Sequence, residues 1–237
     1  MTKGTGMDVD EQKRAAGETA VERHVRNGMC VGLGTGSTAY WVIRRVGERV
    51  AEGEKIGAVA TSKTTEDLCR EWNVPIYGLL DRPIDVAIDG ADEVAADFSL
   101  TKGGGGALFR EKAVALAAKR YVIVVDESKL VERLGAFPIP VEVVPYALPW
   151  VQSELARAFP AVPIQRRMRE QTPFVTDNGN AILDVRFGTI DDPAMHAAAV
   201  LAIHGVVDVG LFVGLTDEVI VGRDDGIQTL HAERARR

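Results

Sequence analysis

Three times in its first half the chain spells one phrase: a short apolar run, a turn, then a stretch with helical spacing. Met29 to Leu33 runs into Gly34-Thr-Gly-Ser-Thr38 and a helix from about Ala39 to Ala51. Ile56 to Ala60 runs into Thr61-Ser-Lys-Thr-Thr65 and a helix to about Trp72. Ile84 to Ile88 runs into a longer turn and a helix from Ala107 to Arg120, and Tyr121 to Val125 adds a fourth strand. Runs of apolar residues without alternation belong to strands covered on both faces, as in parallel sheets flanked by helices. Strands alternating with helices therefore predict an α/β fold: a doubly wound, mainly parallel sheet of Rossmann-like type. Ahead of them, Asp10 to Asn27 reads as an amphipathic helix with Asn27-Gly28 as its stop.

The texture changes at Phe137-Pro-Ile-Pro140, and Pro145 and Pro149 continue it, which marks a connection between domains. Beyond it the spacing predicts strands over 141–144 and 163–168 and a helix over 150–159. Residues 174–176 and 181–186 flank Asp177-Asn-Gly-Asn180 as a hairpin. Asp192-Pro193 opens a helix through about Ile203. A strand over 206–213 and a closing hairpin, Val219–Val221 with Gly226-Ile227, follow; 76–79 reads as one further short strand. We therefore expect a catalytic domain of residues 1–134 and 209–237, with 135–208 as a smaller inserted α+β domain that serves packing and subunit contact. The first six residues and the tail from His231 to Arg237 read as frayed ends.

A net charge of −6 disfavours a nucleic-acid partner, which calls for a basic face. No stretch approaches the ~20 apolar residues of a membrane-spanning helix. Cys30 and Cys69 do not make a disulfide framework, and reduced thiols fit a cytoplasmic protein. The four histidines are scattered, so no metal site is expected.

Charge is placed unusually after the third strand. Ile84 to Ile88 ends in Asp89-Gly90-Ala91-Asp92-Glu93; then come Thr101-Lys102, the glycines Gly103 to Gly106, and Phe109-Arg-Glu111-Lys112. Three carboxylates (Asp89, Asp92, Glu111) and one ammonium (Lys102) thus flank a strand's carboxyl end and a helix start, where open α/β sheets bind ligands. Four glycines allow backbone to approach a ligand and leave N–H groups to donate. Taken singly, each piece has a plainer reading: a solvated turn, a flexible loop, an acidic residue favouring a helix start. Lys129, just after the fourth strand, reads either as a second cation for the same crevice or as a surface lysine.

The first turn, Gly32-Leu-Gly34-Thr35-Gly36-Ser37-Thr38, has the anatomy of a phosphate cradle, because loop amides and a helix N-terminus favour an anion. A dinucleotide site is the competing reading, but its third glycine would fall at Ser37. Hydroxyls at Thr35, Ser37 and Thr38 suit a small phosphate monoester. A tight turn that packs helix on strand is the alternative without a ligand.

With these residues in view the chain resembles the A-type ribose-5-phosphate isomerase family. The resemblance is carried by Gly32-Leu-Gly-Thr-Gly-Ser-Thr-Ala39, Asp89-Gly-Ala-Asp-Glu93, Lys102-Gly-Gly-Gly with Arg110-Glu-Lys112, and Phe137-Pro-Ile-Pro-Val-Glu-Val143. Val175-Thr-Asp-Asn-Gly-Asn180 and Gly205-Val-Val-Asp-Val-Gly-Leu-Phe212 extend it over nearly the whole chain. It implies interconversion of ribose 5-phosphate and ribulose 5-phosphate in the pentose phosphate pathway, without metal or organic cofactor, by a homodimer or homotetramer. It implies Glu111 as the catalytic base and Thr35 to Thr38, Asp89 to Asp92, Lys102 to Gly105 and Lys129 as substrate-binding segments. Lys13 resembles a family lysine that reaches the phosphate. Three departures stand out. The serine-rich segment after the second strand is here Thr61-Ser-Lys-Thr-Thr65, and no site role is assigned to it. Gly106 stands where many relatives have alanine, which loosens the helix start. Residues 159–163 lack glycines often found there.

Isomerisation moves a proton between two carbons, and a carboxylate fixed at a helix start can carry it across one face of a cis-enediolate. Glu111 is that candidate; Lys102 and the glycine-loop amides suit the developing oxyanion. Asp89 and Asp92 are suited to orient sugar hydroxyls, hold Lys102 or trade a proton on ring opening, and the sequence does not divide these roles. The alternatives are a coenzyme A transferase, an amino-sugar phosphate deaminase, a non-catalytic sugar-phosphate binding module, and a nucleotide-dependent oxidoreductase, which Ser37 disfavours.

Overall fold

The computed structural model describes residues 7–232; the leader 1–6 and residues 233–237 of the tail expected to fray lie outside the described residues, whereas His231 is not frayed but ends the last strand, paired with Glu218. The chain divides into two compact units. One holds the chain up to Gly90, Ala113–Lys129 and the chain from Leu215; the other holds Ala91–Lys112 and Leu130–Gly214.

Helix α1 (Val9–His24) opens with a capping box, in which Asp8 accepts the amides of Asp10 and Glu11 while Glu11 accepts the amide of Asp8. Strand β1 (Cys30–Leu33), helix α2 (Ser37–Ala51), strand β2 (Gly57–Ala60), helix α3 (Lys63–Glu71) and strand β3 (Val86–Asp89) follow. Ala39, Val42, Ile43 and Val46 make the buried stripe of α2 at helical spacing. Residue 76 makes only an isolated bridge to Ala58, not the short strand expected over 76–79. The chain then runs through β4 (Glu93–Val94), β5 (Leu100–Thr101), α4 (Leu108–Ala117) and β6 (Tyr121–Asp126). Helix α4 stops before the predicted Arg120 because Ala118 bridges to Ile84 and the Lys119 amide donates to the Ile84 carbonyl (3.0 Å). The remainder comprises β7 (Ile139–Val143), α5 (Leu148–Ala158), β8 (Ile164–Arg166), β9 (Met168–Arg169), β10 (Thr172–Pro173), β11 (Ala181–Val185), α6 (Pro193–Leu201), β12 (Val206–Val209), β13 (Leu211–Phe212), β14 (Glu218–Arg223) and β15 (Gly226–His231).

The first unit is built on a six-stranded sheet in the order β15-β14-β6-β3-β1-β2. Every pairing is parallel except the β14–β15 hairpin at one edge. The five parallel strands thus run 2-1-3-4-5 by their order along the chain, the doubly wound arrangement that the βα alternation predicts. Val31, Leu33, Val86, Ile88, Val122 and Val124 from its strands share one core with Ala16, Ala20, Val42 and Val46 from α1 and α2. In this topology the strand order reverses between β1 and β3. The loops after those two strands therefore flank a switch point, where such sheets bind ligands.

The second unit carries an antiparallel sheet in the order β12-β7-β11-β8, a smaller one in the order β13-β5-β4, and the β9–β10 pair. Ile139, Val141, Val143, Leu183 and Val185 pack with Val151, Leu155 and Val200 of α5 and α6. The division departs from the expected boundaries at 134 and 208, because residues 91–112 sit with the second unit. The reason is pairing: β4 and β5 form a ladder with β13, and buried Glu93 accepts the amides of Gly135 (3.0 Å) and Phe137 (2.9 Å). The strand expected over 206–213 breaks at Gly210, whose carbonyl accepts the Lys102 amide (2.9 Å) while its own amide donates to Pro140 (2.7 Å). Residues 174–176 are not a strand either. The 177–180 turn forms, but buried Glu142 holds it, accepting from Thr176 Oγ1 (2.9 Å), Asn178 Nδ2 (3.0 Å) and Asn180 Nδ2 (2.9 Å). Strand β11 pairs instead with β7 and β8.

Candidate active site

In the first unit the predicted residues gather at the carboxyl ends of the parallel strands. Asp89 ends β3 and is 1% exposed. Its Oδ1 accepts the amides of Gly90 (2.8 Å) and Thr35 (3.2 Å), so one carboxylate ties together the loops after β3 and β1. Position 34 has to be glycine for this contact: a Cβ there would lie 2.8 Å from the Asp89 Cα. Gly36 caps α2 with φ 110°, a conformation that favours glycine, and no side chain caps the helix start. The exposed Ser37 and half-buried Thr38 begin that helix, beside backbone N–H groups that favour an anion.

The hydroxyl of Thr35 turns the other way. Its Oγ1 lies 2.8 Å from Thr61 Oγ1, 2.8 Å from Ser62 Oγ and 3.1 Å from Thr65 Oγ1. Thr65 Oγ1 donates to the Gly34 carbonyl (2.8 Å) and Thr61 Oγ1 to the Leu33 carbonyl (3.0 Å). The segment 61–65, to which no role was assigned from sequence, therefore holds the loop after β1 in place. Its hydroxyl run ahead of a helix was the signal. Two lysines complete this end of the sheet. Half-buried Lys129 closes a short 3₁₀ turn (Glu127–Lys129) directly after β6. Half-buried Lys13 follows Gln12, whose backbone oxygen would lie 2.0 Å from a Cβ on Gly222, and Gly222 pairs with Asp126 at the end of β6.

In the second unit Glu111 lies in the first turn of α4, and its amide donates to the Ala107 carbonyl (3.0 Å). Lys102, after β5, brings Nζ to 3.4 Å from Glu111 Oε2, with both side chains at 5% exposure or less. The same ammonium lies 5.6 Å from the centroid of the Phe212 ring, and Lys112 approaches that ring at 4.8 Å. Lys112 also pairs with Asp208 and donates to the Val209 carbonyl (2.7 Å). Burial pulls the Lys112 ammonium below the ordinary lysine value and pushes the Asp208 carboxyl up, each partly offset by the other. Half-buried Asp92 accepts the Gly104 amide at Oδ2 (2.8 Å), which fixes one end of the glycine loop. Gly103 is buried with φ 95°, while Gly104 and Gly105 are exposed. Half-buried Ala91 joins Gly90 to Asp92.

Gly106 does not loosen the helix start. It adopts φ 85°, and a Cβ there would stand 2.4 Å from Cζ of Phe174, so the missing side chain makes room for that ring. Sequence reasoning also missed Arg167, which forks onto Asp184 and donates to the carbonyls of Gly103 (2.7 Å) and Gly104 (3.0 Å). Its distance along the chain left no local signal.

Loops at the switch point of a parallel sheet in the first unit, and a buried ammonium–carboxylate pair at a helix start in the second, are each features of α/β enzymes that work by acid–base chemistry. The family profile of ribose 5-phosphate isomerase A (phosphoriboisomerase A) matches residues 57–226. Ribose-5-phosphate isomerase A of Natronomonas pharaonis is 48% identical over 218 residues, covering 92% of this chain and 96% of its own. A solved D-ribose-5-phosphate isomerase in complex with phospho-erythronic acid superposes with a TM-score of 0.91 at 38% identity, over 95% of this chain and all of the other. The Plasmodium falciparum ribose 5-phosphate isomerase superposes with a TM-score of 0.92 at 33% identity, with the same coverage. The chain belongs to the ribose 5-phosphate isomerase A family.

Proposed function

We propose that this chain interconverts D-ribose 5-phosphate and D-ribulose 5-phosphate through a cis-enediolate, a step of the non-oxidative pentose phosphate pathway. The observation that carries the reading is the buried Lys102–Glu111 pair. An ammonium 3.4 Å from the carboxylate favours the anionic form that a base needs to take the carbon-bound proton. Glu111 moves that proton between the two carbons. Lys102 and the loop amides from Gly103 to Gly105 stabilise the oxyanion that develops beside them. The phosphate falls to Gly36, Ser37 and Thr38 at the bare start of α2, with Lys13 and Lys129 as cations for it. Thr35 serves through its backbone and its buried hydroxyl contacts. Asp89 and Asp92, with Gly90 and Ala91 between them, orient the sugar hydroxyls.

A solved relative bound to a phosphorylated sugar acid supports a ligand of this size and charge. No helix among the described residues is long and apolar enough to cross a membrane. We assign the enzyme to the cytoplasm and to a homodimer or homotetramer, with the second unit in subunit contact and no nucleic-acid partner. No metal or organic cofactor enters the scheme. The test is turnover of ribose 5-phosphate by the purified chain after exhaustive EDTA treatment. Full activity is expected; a loss that a divalent ion restores would contradict the scheme and make Asp89 and Asp92 candidate ligands.

A further inference from the structure

We propose that Arg167 is a positioning residue for the reaction, a clamp that sets the peptide planes of the glycine loop. Arg167 lies between β8 and β9, and its side chain is 13% exposed. Four of its five N–H donors are committed. Nε and Nη2 fork onto the two oxygens of Asp184 on β11, and Nη1 donates to the carbonyls of Gly103 (2.7 Å) and Gly104 (3.0 Å). The backbone holds the clamp on both sides. The Arg167 amide donates to the Ile182 carbonyl (2.8 Å), and its own carbonyl accepts the Phe174 amide (3.0 Å). The Phe174 ring, 5.9 Å from the guanidinium carbon, fills the space left by Gly106.

In a trans peptide the C=O and N–H point in opposite directions. A carbonyl drawn toward Arg167 therefore turns the next amide away from it. At Gly104 that amide meets Asp92 Oδ2 (2.8 Å). At Gly105 it is presented on the side opposite the guanidinium. A cation on each carbonyl also polarises the peptide, which strengthens the N–H at its other end. Glycines impose no preference of their own on these planes, so the orientation has to come from a partner. A lysine has no planar fork and cannot hold Asp184 and two carbonyls together.

The inference rests on the reading that the loop amides and Lys102 stabilise the enediolate. It is tested with Arg167→Met, Asp184→Asn, Arg169→Met and Lys102→Ala, each measured for kcat, KM and thermal midpoint. Arg169 lies 5.1 Å from the same Phe174 ring without touching the loop, so its variant controls for charge and packing. Arg167→Met should lower kcat by about 10- to 100-fold with KM within about twofold, as expected when reacting groups are slightly misplaced. Asp184→Asn should give a smaller loss in the same sense, Arg169→Met none, and added guanidinium ion should restore part of the Arg167→Met rate. If Arg167→Met fails to fold, the Asp184→Asn kcat decides. Unchanged kcat in the deciding variant, beside a slow Lys102→Ala, overturns the clamp alone. Unchanged kcat in Lys102→Ala overturns the enediolate reading and the clamp with it. A loss that follows the thermal midpoint and ignores guanidinium overturns the clamp in favour of a structural role.

Discussion

Lys102 Nζ and Glu111 Oε2 lie 3.4 Å apart, with side chains 3% and 5% exposed. A charge at that depth is costly to hold without an opposite one nearby, so the two side chains should be coupled in stability. Removing one partner should cost more than removing both. Lys102→Met should lower unfolding stability, by up to about 3–5 kcal/mol, because it removes one partner of a buried ion pair. Lys102→Met with Glu111→Gln should recover much of that. Urea unfolding of the two single variants and the double variant checks this; additive losses would show that the pair is not coupled.

The hydroxyls of the first loop should separate into two classes. Ser37→Ala and Thr38→Ala should weaken substrate binding by about 0.5–3 kcal/mol per lost hydrogen bond and leave stability almost unchanged. Thr35→Ala should instead lower stability, by about 0.5–1.5 kcal/mol, because it removes the hydroxyl that Thr61, Ser62 and Thr65 share. Calorimetric titration with ribose 5-phosphate and thermal melts distinguish the classes. A Thr35→Ala protein of parental stability would remove the structural role.

His24 couples stability to pH. Its Nε2 lies 3.1 Å from Glu218 Oε1, yet burial dominates and holds the imidazole below its ordinary value. The unfolded chain therefore binds the proton first as pH falls. Stability contributed at this position is present above the unfolded histidine value, near 6.5, is lost as pH falls through it, and levels off below the folded value. Thermal midpoints of the parent and His24→Gln between pH 7.5 and 5.5 should converge toward the acid end. Parallel curves would contradict the assignment.

The sheet was legible because its strands are apolar on both faces and its helices carry buried stripes; Val31 and Ile88 announce their burial by their neighbours alone. Within the candidate site, contacts were legible where the chain itself brings the groups close, as for Asp89-Gly90 and for Lys102 with Glu111. Contacts made by distant residues were not. Arg167 reaches Gly103 across 64 positions, and nothing around Arg167 marks it out. The unit boundary failed for the same reason. Residues 91–112 follow β3 in sequence, but β5 finds its partner at Leu211 and Phe212, and pairing decides membership. Gly106 looked like a loosening of the helix start because glycine restrains the chain least; only the position of Phe174 reveals its use.

If Glu111 is the single base of an aldose–ketose isomerisation, Glu111→Gln is the variant that decides it. The amide keeps the size and shape of the carboxylate and removes its basicity, so the protein should still fold, at the lower stability that loss of the ion pair brings, and should still bind ribose 5-phosphate. Turnover should fall by ~10² to 10⁴, the usual contribution of a positioned general base. A Glu111→Gln protein that binds the sugar phosphate and still isomerises it at the parental rate would rule Glu111 out as the base.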